Sequence, residues 1–294
     1  MKITIGIDLG GTCIKAVAIN EEGTILERLQ LPTNDGNDKA WKQKVSDIVK
    51  KLQSQFQTKN PVGISAPGLP NSDNSAIDFM PGRMQGIENF IWNDFLRLPV
   101  YVLNDAVAAL IAEAKFGSAK GKQNVVMLTL GTGVGGAILI EGKPYFGMYN
   151  KAGHIGHMII NDDDDPDITG MPGSLENCIG NCTIQKRTGG KFNSTNELLE
   201  AMKNGDEFAR KVWLKSVRHL ALGIASITNI LSPEIVVLGG GVSQADKELF
   251  EPLVKYMDDF EWRAGGYAVT VVKAFHGEMA GAIGAAGFAM TKNI

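Results

Sequence analysis

Two distant stretches of this chain repeat one pattern, and that pattern limits what the chain can fold into. Near the start, Ile5-Gly6-Ile7-Asp8-Leu9 is an apolar, β-branched run that stops beside a carboxylate, followed by Gly10-Gly11-Thr12 and then Cys13-Ile14-Lys15. This order predicts a strand running into a tight turn whose backbone N–H groups are bare enough to meet a phosphate. Asp8 repels an anion there unless a cation lies between them, and a divalent ion held directly or through water resolves the conflict. The plain alternative is a hairpin carrying an incidental Asp. Further along, Asn124–Leu130 reads as a strand, Gly131-Thr132-Gly133-Val134-Gly135-Gly136 as a turn, and Ala137–Ile140 as another strand. Each half of the chain therefore opens the same way, which implies an internal duplication.

The remaining pattern fits two α/β halves. Lys39–Gln57 places Trp41, Val45, Ile48, Val49, Leu52 and Phe56 at helical spacing. Thr24–Leu31, Pro61–Pro67 and Val100–Leu103 read as strands, Ala106–Phe116 as a helix, and Gly117–Lys122 as a linker. In the second half, Glu207–Ile230 is a long helix and Ile235–Leu238 a buried strand ending at Gly239-Gly240-Gly241. A helix over roughly 244–257, a strand at Val269–Lys273 and a last helix from about Met279 complete it. The expected division is 1–117 and 118–294, with the final helix (280–294) returning to pack on the first domain.

Composition removes several function classes. At 294 residues, 44% hydrophobic and 21% charged, the chain has the make-up of a soluble globular protein with room for two domains. A net charge of −3 without a basic stripe gives no electrostatic basis for nucleic-acid binding. No secretory apolar region follows Met1 and no stretch suits a bilayer span, so no membrane role is expected. Three cysteines without a signal peptide point to a reducing cytoplasm.

The glycine turns have decoys. Gly131, Gly133 and Gly136 formally satisfy G-x-G-x-x-G, but a strand follows them where a dinucleotide fold needs a helix. No G-x-x-x-x-G-K-[ST] occurs either. What remains is two strand–turn–strand loops, suited to gripping a triphosphate from two domains, and the triplet Gly239–Gly241, which lets an adenine or ribose approach the backbone. Asn104-Asp105 lies between a strand and a helix. On its residues alone, Asp105 reads equally well as a helix N-cap and as a general base taking a proton from an alcohol.

Asp8-Leu9-Gly10-Gly11-Thr12 with Lys15, followed by Thr129–Gly136, resembles the two phosphate motifs of the actin-like sugar kinase superfamily. Within it, Ala152-Gly153-His154-Ile155-Gly156-His157-Met158 is similar to the signature of the ROK family (repressors, open reading frames and kinases), and the likeness runs through essentially the whole chain. The resemblance implies a two-domain actin-like ATPase fold, ribonuclease H-like, with a duplicated mixed sheet flanked by helices. It implies a glucokinase-like enzyme that moves the γ-phosphoryl group of ATP to a sugar hydroxyl, the 6-OH of a hexose with glucose the first choice, and a homodimer in the cytoplasm. Asp105 becomes the general base and Asp8 the support for Mg²⁺. Gly10, Gly11, Thr12, Lys15, Thr132 and Gly133 serve the phosphates, and Gly239, Gly240 and Gly241 serve the adenosine. Asn104, His154, His157, Glu176 and the backbone of Pro67 and Gly68 hold the sugar.

The chain departs from its relatives in places. ROK kinases usually carry Glu at the position of His154; an acid only accepts hydrogen bonds, whereas a neutral imidazole both donates and accepts, so hydroxyl or anomer preference is open. Many relatives bind zinc through the His157 position and three cysteines, which align here with Asp167, Thr169 and Ser174. With the soft ligands gone, no structural zinc is expected. Cys178 and Cys182, four apart, read as core on one helix face, and Asp162–Asp165 as a solvated loop rather than a cation site. Phe79-Met80-Pro81-Gly82 stands where relatives often begin with Asn, which removes one sugar contact. Alternatives are a kinase for mannose, fructose, allose or an N-acetyl hexosamine such as N-acetylmannosamine, a non-catalytic sugar binder, or a sugar-responsive repressor. The last needs a DNA-binding domain ahead of the first loop, and Met1 lies only a few residues before it.

Overall fold

The computed structural model describes residues 2–36, 38–161 and 165–292. Thr4–Leu9 (β1), Cys13–Ile19 (β2) and Ile25–Pro32 (β3) form an antiparallel meander, and Asp38–Phe56 (α1) follows. Next come Val62–Ala66 (β4), a small hairpin of Leu69–Pro70 (β5) and Ile77–Phe79 (β6), the short helix Trp92–Leu96 (α2), Val100–Asn104 (β7) and Asp105–Phe116 (α3). The pattern restarts with Val125–Leu130 (β8), Val134–Ile140 (β9) and Lys143–Pro144 (β10). Four helices follow: Leu175–Ile179 (α4), Ile184–Arg187 (α5), Thr195–Lys203 (α6) and Glu207–Leu231 (α7). Ile235–Gly239 (β11), Lys247–Phe260 (α8), Thr270–Lys273 (β12) and Ala280–Thr291 (α9) close the chain.

The duplication shows in the sheets. One is ordered β3-β2-β1-β4-β7 and the other β10-β9-β8-β11-β12, so each strand of the first has a counterpart at the same place in the second. In both, the strand after the glycine turn runs antiparallel and the later two join in parallel. Parallel strands buried on both faces need near-continuous apolar sequence, and β4 (VGISA) and β11 (IVVLG) are buried throughout.

The chain divides into two compact units: Met1–Lys122 with Ile138–Ala152 and Ala274–Ile294, and Gln123–Ala137 with Gly153–Lys273. The segment 117–122, read from sequence as a linker, stays with the first unit. Its anchor is Glu113, fully buried, which accepts hydrogen bonds from the Ser118 N–H and hydroxyl (both 2.9 Å), from the N–H of Phe275 (3.0 Å) and from that of His276 (2.9 Å). In the same unit α9 lies on β1, β4 and α3. A side chain at Gly6, Gly63 or Gly284 would overlap the carbonyl of Ala282, Ala285 or Ala108 respectively, so these glycines set the approach of helix to sheet and helix to helix. The second unit's core gathers around α7, with Trp213, Val217, Leu220, Ala221 and Ile224 buried against β8, β11 and α8.

Two sequence readings change. The helix expected over 244–257 starts at Lys247 and runs to Phe260, because 241–245 forms a 3₁₀ turn and Asp246 takes a left-handed φ of 46° that no α-helix continues through. Cys178 and Cys182 do not share a helix face: α4 stops at Gly180, which leaves Cys178 buried and Cys182 exposed. No described helix is long and apolar enough to cross a membrane.

Candidate active site

In the first unit, the residues singled out from sequence converge at the carboxyl ends of the parallel strands, where open α/β sheets place their ligands. The turn Gly10–Thr12 joins β1 to β2 as a hairpin, closed by Gly10 N–H to the Cys13 carbonyl at 3.0 Å. The hairpin and phosphate-loop readings are thus compatible: Gly11 and Thr12 are exposed at its tip. The register aligns Asp8 with Ser65 and Ala66 with Asn104, so β1, β4 and β7 end together. Ser65 donates to Asp8 Oδ1 at 2.7 Å. Burial pushes the Asp8 carboxyl up to about 6; the Asp105 charge adds to this, while Ser65 and Lys15 pull the other way. A half-buried acid raised by desolvation and, to a lesser degree, by a neighbouring acid is one that a cation would relieve, and the oxygen-only donor set suits a hard divalent ion.

Asp105 opens α3 and is exposed. It is not the N-cap: Asn104 is, with Oδ1 accepting from Ala106 N–H (3.0 Å) and Val107 N–H (3.4 Å), while Asp105 Oδ1 accepts from Ala106 N–H (2.8 Å). Asn104 Nδ2 donates to the Gly68 carbonyl at 3.1 Å. The cap and the Pro67-Gly68 turn, where Gly68 has φ 99°, are therefore held by one side chain, and the Gly68 carbonyl is spoken for. Lys15 Nζ reaches the Glu278 carbonyl (3.1 Å) and carboxylate (3.3 Å), which ties it to the turn before α9. Sequence reasoning missed Ser65, and also Gly281, whose missing side chain leaves room for Asp8 and Ser65. It also missed Asp35, which accepts from Met84 N–H at 3.2 Å beside Gly11.

The second unit carries the other set. Gly131 N–H bonds the Gly133 carbonyl (2.9 Å), while the Gly131 and Thr132 carbonyls accept from Asn181 N–H (3.0 Å) and Cys182 N–H (2.8 Å). The carbonyls of this loop thus face the turn after α4, and Thr132 is exposed. Glu176 on α4 accepts from Val134 N–H at 2.9 Å, and a side chain at Gly133 would overlap the same carboxylate. Glu176 is therefore seated under the Gly131–Gly136 turn, a contact its sequence position gave no sign of. Gly240 (φ 84°) packs on the Leu130 backbone, while Gly241 faces open space. His154 and His157 lie with rings nearly parallel, 14° apart and 6.5 Å between centres. His157 Nδ1 lies 2.8 Å from Asp167 Oδ2. In the acidic run, Asp165 pairs with Lys186 at 3.0 Å, whereas 162–164 lie outside the described residues.

The ROK family model matches residues 4–292 of this chain. The chain belongs to the ROK family. Among ROK relatives, the glucokinase of Halalkalibacterium halodurans is 30% identical over 288 residues, covering 87% of this chain and 85% of its own length. A ROK hexokinase from Thermus thermophilus superposes with a TM-score of 0.88 at 26% identity, over 99% of this chain and 98% of that one. A ROK glucokinase from Streptomyces griseus, solved with glucose and AMPPNP, gives 0.82 at 26% identity over 98% and 99%. The fold is the actin-like one of the ROK sugar kinases, and the duplicated sheets are its two repeats.

Proposed function

We infer that this protein is an ATP-dependent hexose kinase. The observation that carries this reading is the carboxylate pair at the shared strand ends, an exposed Asp105 beside a half-buried Asp8, next to a bare glycine turn. A kinase acting on an alcohol needs an acceptor for the hydroxyl proton and donors for the phosphates. Asp105 accepts the proton of the attacking hydroxyl, the new oxygen–phosphorus bond forms at the γ-phosphorus, and its bond to the bridging oxygen breaks to leave ADP. Gly11 and Thr12 offer N–H groups and a hydroxyl to the phosphates while Gly10, its own N–H given to Cys13, closes the turn; Thr132 and Gly133 serve the phosphates in the second unit, and Gly239–Gly241 serve the adenosine. Asp8, oriented by Ser65, would hold Mg²⁺, which when bound neutralises charge on the triphosphate. Lys15 acts through its tie to Glu278 more than as a phosphate ligand.

The sugar is held by His157, Glu176, His154 and the Asn104–Gly68 pair. With Asn104 Oδ1 committed to the helix cap, its remaining offering to a sugar is an Nδ2 hydrogen. His154 in place of Glu replaces an acceptor by a group that also donates. Glucose is the first choice of acceptor, and the enzyme works in the cytoplasm as a homodimer, on the family resemblance and the cysteine usage. A coupled ADP-release assay with glucose, mannose, fructose, allose and the N-acetyl hexosamines tests the reading. Sugar-dependent ADP release with at least one of them is expected. Folded protein that binds a sugar and releases no ADP with any of them would instead make it a binding relative.

A further inference from the structure

The side chain of Asp167 is fully buried, and its carboxylate is surrounded by donors. Oδ2 faces His157 Nδ1 at 2.8 Å; Oδ1 accepts from the Thr169 N–H and hydroxyl (both 2.7 Å) and from Met171 N–H (3.1 Å), and the Ser174 hydroxyl also donates. Burial alone would raise this acid, yet the donors outweigh it and hold the carboxyl well below the usual range. Backbone bonds wrap the loop on itself, with Asp167 N–H to the Met171 carbonyl (2.9 Å) and Gly170 N–H to the Asp167 carbonyl (3.0 Å). Ser174 in turn N-caps α4, the helix that carries Glu176, by accepting from Asn177 N–H at 3.2 Å.

His157, Asp167, Thr169 and Ser174 are the four positions at which relatives of this type bind zinc. The residues present do not fit that metal: two are neutral hydroxyls committed as donors, and the one carboxylate is already filled with hydrogen bonds where zinc wants thiolates or imidazoles. We propose that Asp167 is a positioning residue that does the work of the missing metal, clamping the 166–174 loop and fixing His157 as the Nδ1–H tautomer so that Nε2 faces the sugar as an acceptor. An imidazole held at one nitrogen presents the other in a defined state, and the ring keeps 26% of its surface exposed. The sugar-facing part rests on the kinase reading above; the tautomer and the metal-free clamp do not.

Three measurements on the full chain test it. First, elemental analysis and thermal melting with and without EDTA should show far less than one zinc per chain and an unmoved midpoint; stoichiometric zinc with a chelator-lowered midpoint would overturn the clamp. Second, ¹⁵N spectra of labelled histidine should assign Nδ1–H to neutral His157 in the parent protein, with a shift toward the Nε2–H form in Asp167→Asn. An unchanged tautomer in that variant would overturn the proposal even if the protein phosphorylates no sugar. Third, Asp167→Asn should raise the sugar KM by about tenfold or more with the ATP KM within twofold, whereas equal rises in both would mean a purely structural role. If Asp167→Asn does not fold, Thr169→Val, which removes one donor and leaves His157 in place, carries the test. Its melting midpoint should fall and the His157 tautomer persist, and an unmoved midpoint would overturn the clamp.

Discussion

At the scale of residues, the half-buried acid Asp8 has the most specific consequence. Its carboxyl, pushed up to about 6, keeps a proton that the unfolded chain releases at the ordinary value of about 4. The folded state therefore binds more protons across that interval, and the stability Asp8 contributes is lost as pH rises from about 4 through 6. A divalent cation needs the ionised acid and must displace that proton. The apparent Mg²⁺ KM should therefore rise steeply as pH falls below about 6, while in the Asp8→Asn variant the Mg²⁺ requirement weakens and loses this pH dependence. Measuring Mg²⁺ titrations from pH 5 to 8 checks it, and a flat profile in the parent protein would remove Asp8 from the metal. The Asp8 turn was legible in the sequence because strand, acid, glycines and hydroxyl are contiguous. Ser65 beneath it was not, since only the β1–β4 register joins residues so far apart. The same holds for Glu176 and Val134, which meet through loops that carry no periodicity. His157 and Asp167 differ, because the family resemblance sets those positions together and the structure supplies the hydrogen bond between them.

At the scale of elements, α9 shows how a helix legible in the sequence can still carry no amphipathic face. Ala282, Ile283, Ala285, Ala286 and Phe288 are all buried, so no polar stripe marks a face. What fixes its seat is the row of glycines it meets. Gly63→Ala puts a methyl group on the Ala285 carbonyl, and this overpacking should cost about 3 kcal/mol, several degrees of melting midpoint for a chain of this size. Gly36→Ala, with nothing within 4 Å, should move the midpoint by less than about 1 °C. Calorimetry on the two variants checks the contrast, and equal midpoints would mean that α9 can shift without cost. Long periodic helices such as α1 and α7 were readable to within about two residues, the usual limit at helix ends. The short α2, α4 and α5 were not, because one turn of helix is set by its caps and neighbours rather than by its own pattern.

At the scale of the whole molecule, the internal repeat explains why so much chemistry was visible early. Two copies of one sheet place a glycine turn after the first strand of each, and the remaining strand ends carry Asn104-Asp105 in one copy and Gly239–Gly241 in the other. In the proposed site the residues that would choose the sugar, His154, His157 and Glu176, lie outside the strand–turn–strand repeat, which is why the sequence left the acceptor open. The central claim is that Asp105 takes the proton in a phosphoryl transfer from ATP to a sugar. Its most direct test is Asp105→Ala, assayed for sugar-dependent ADP release and, by calorimetry, for ATP binding. Turnover should fall by about 10²–10⁴-fold, the usual contribution of a general base, with the ATP dissociation constant within a factor of about two. Near-normal turnover in that variant, with folding intact, would contradict the claim.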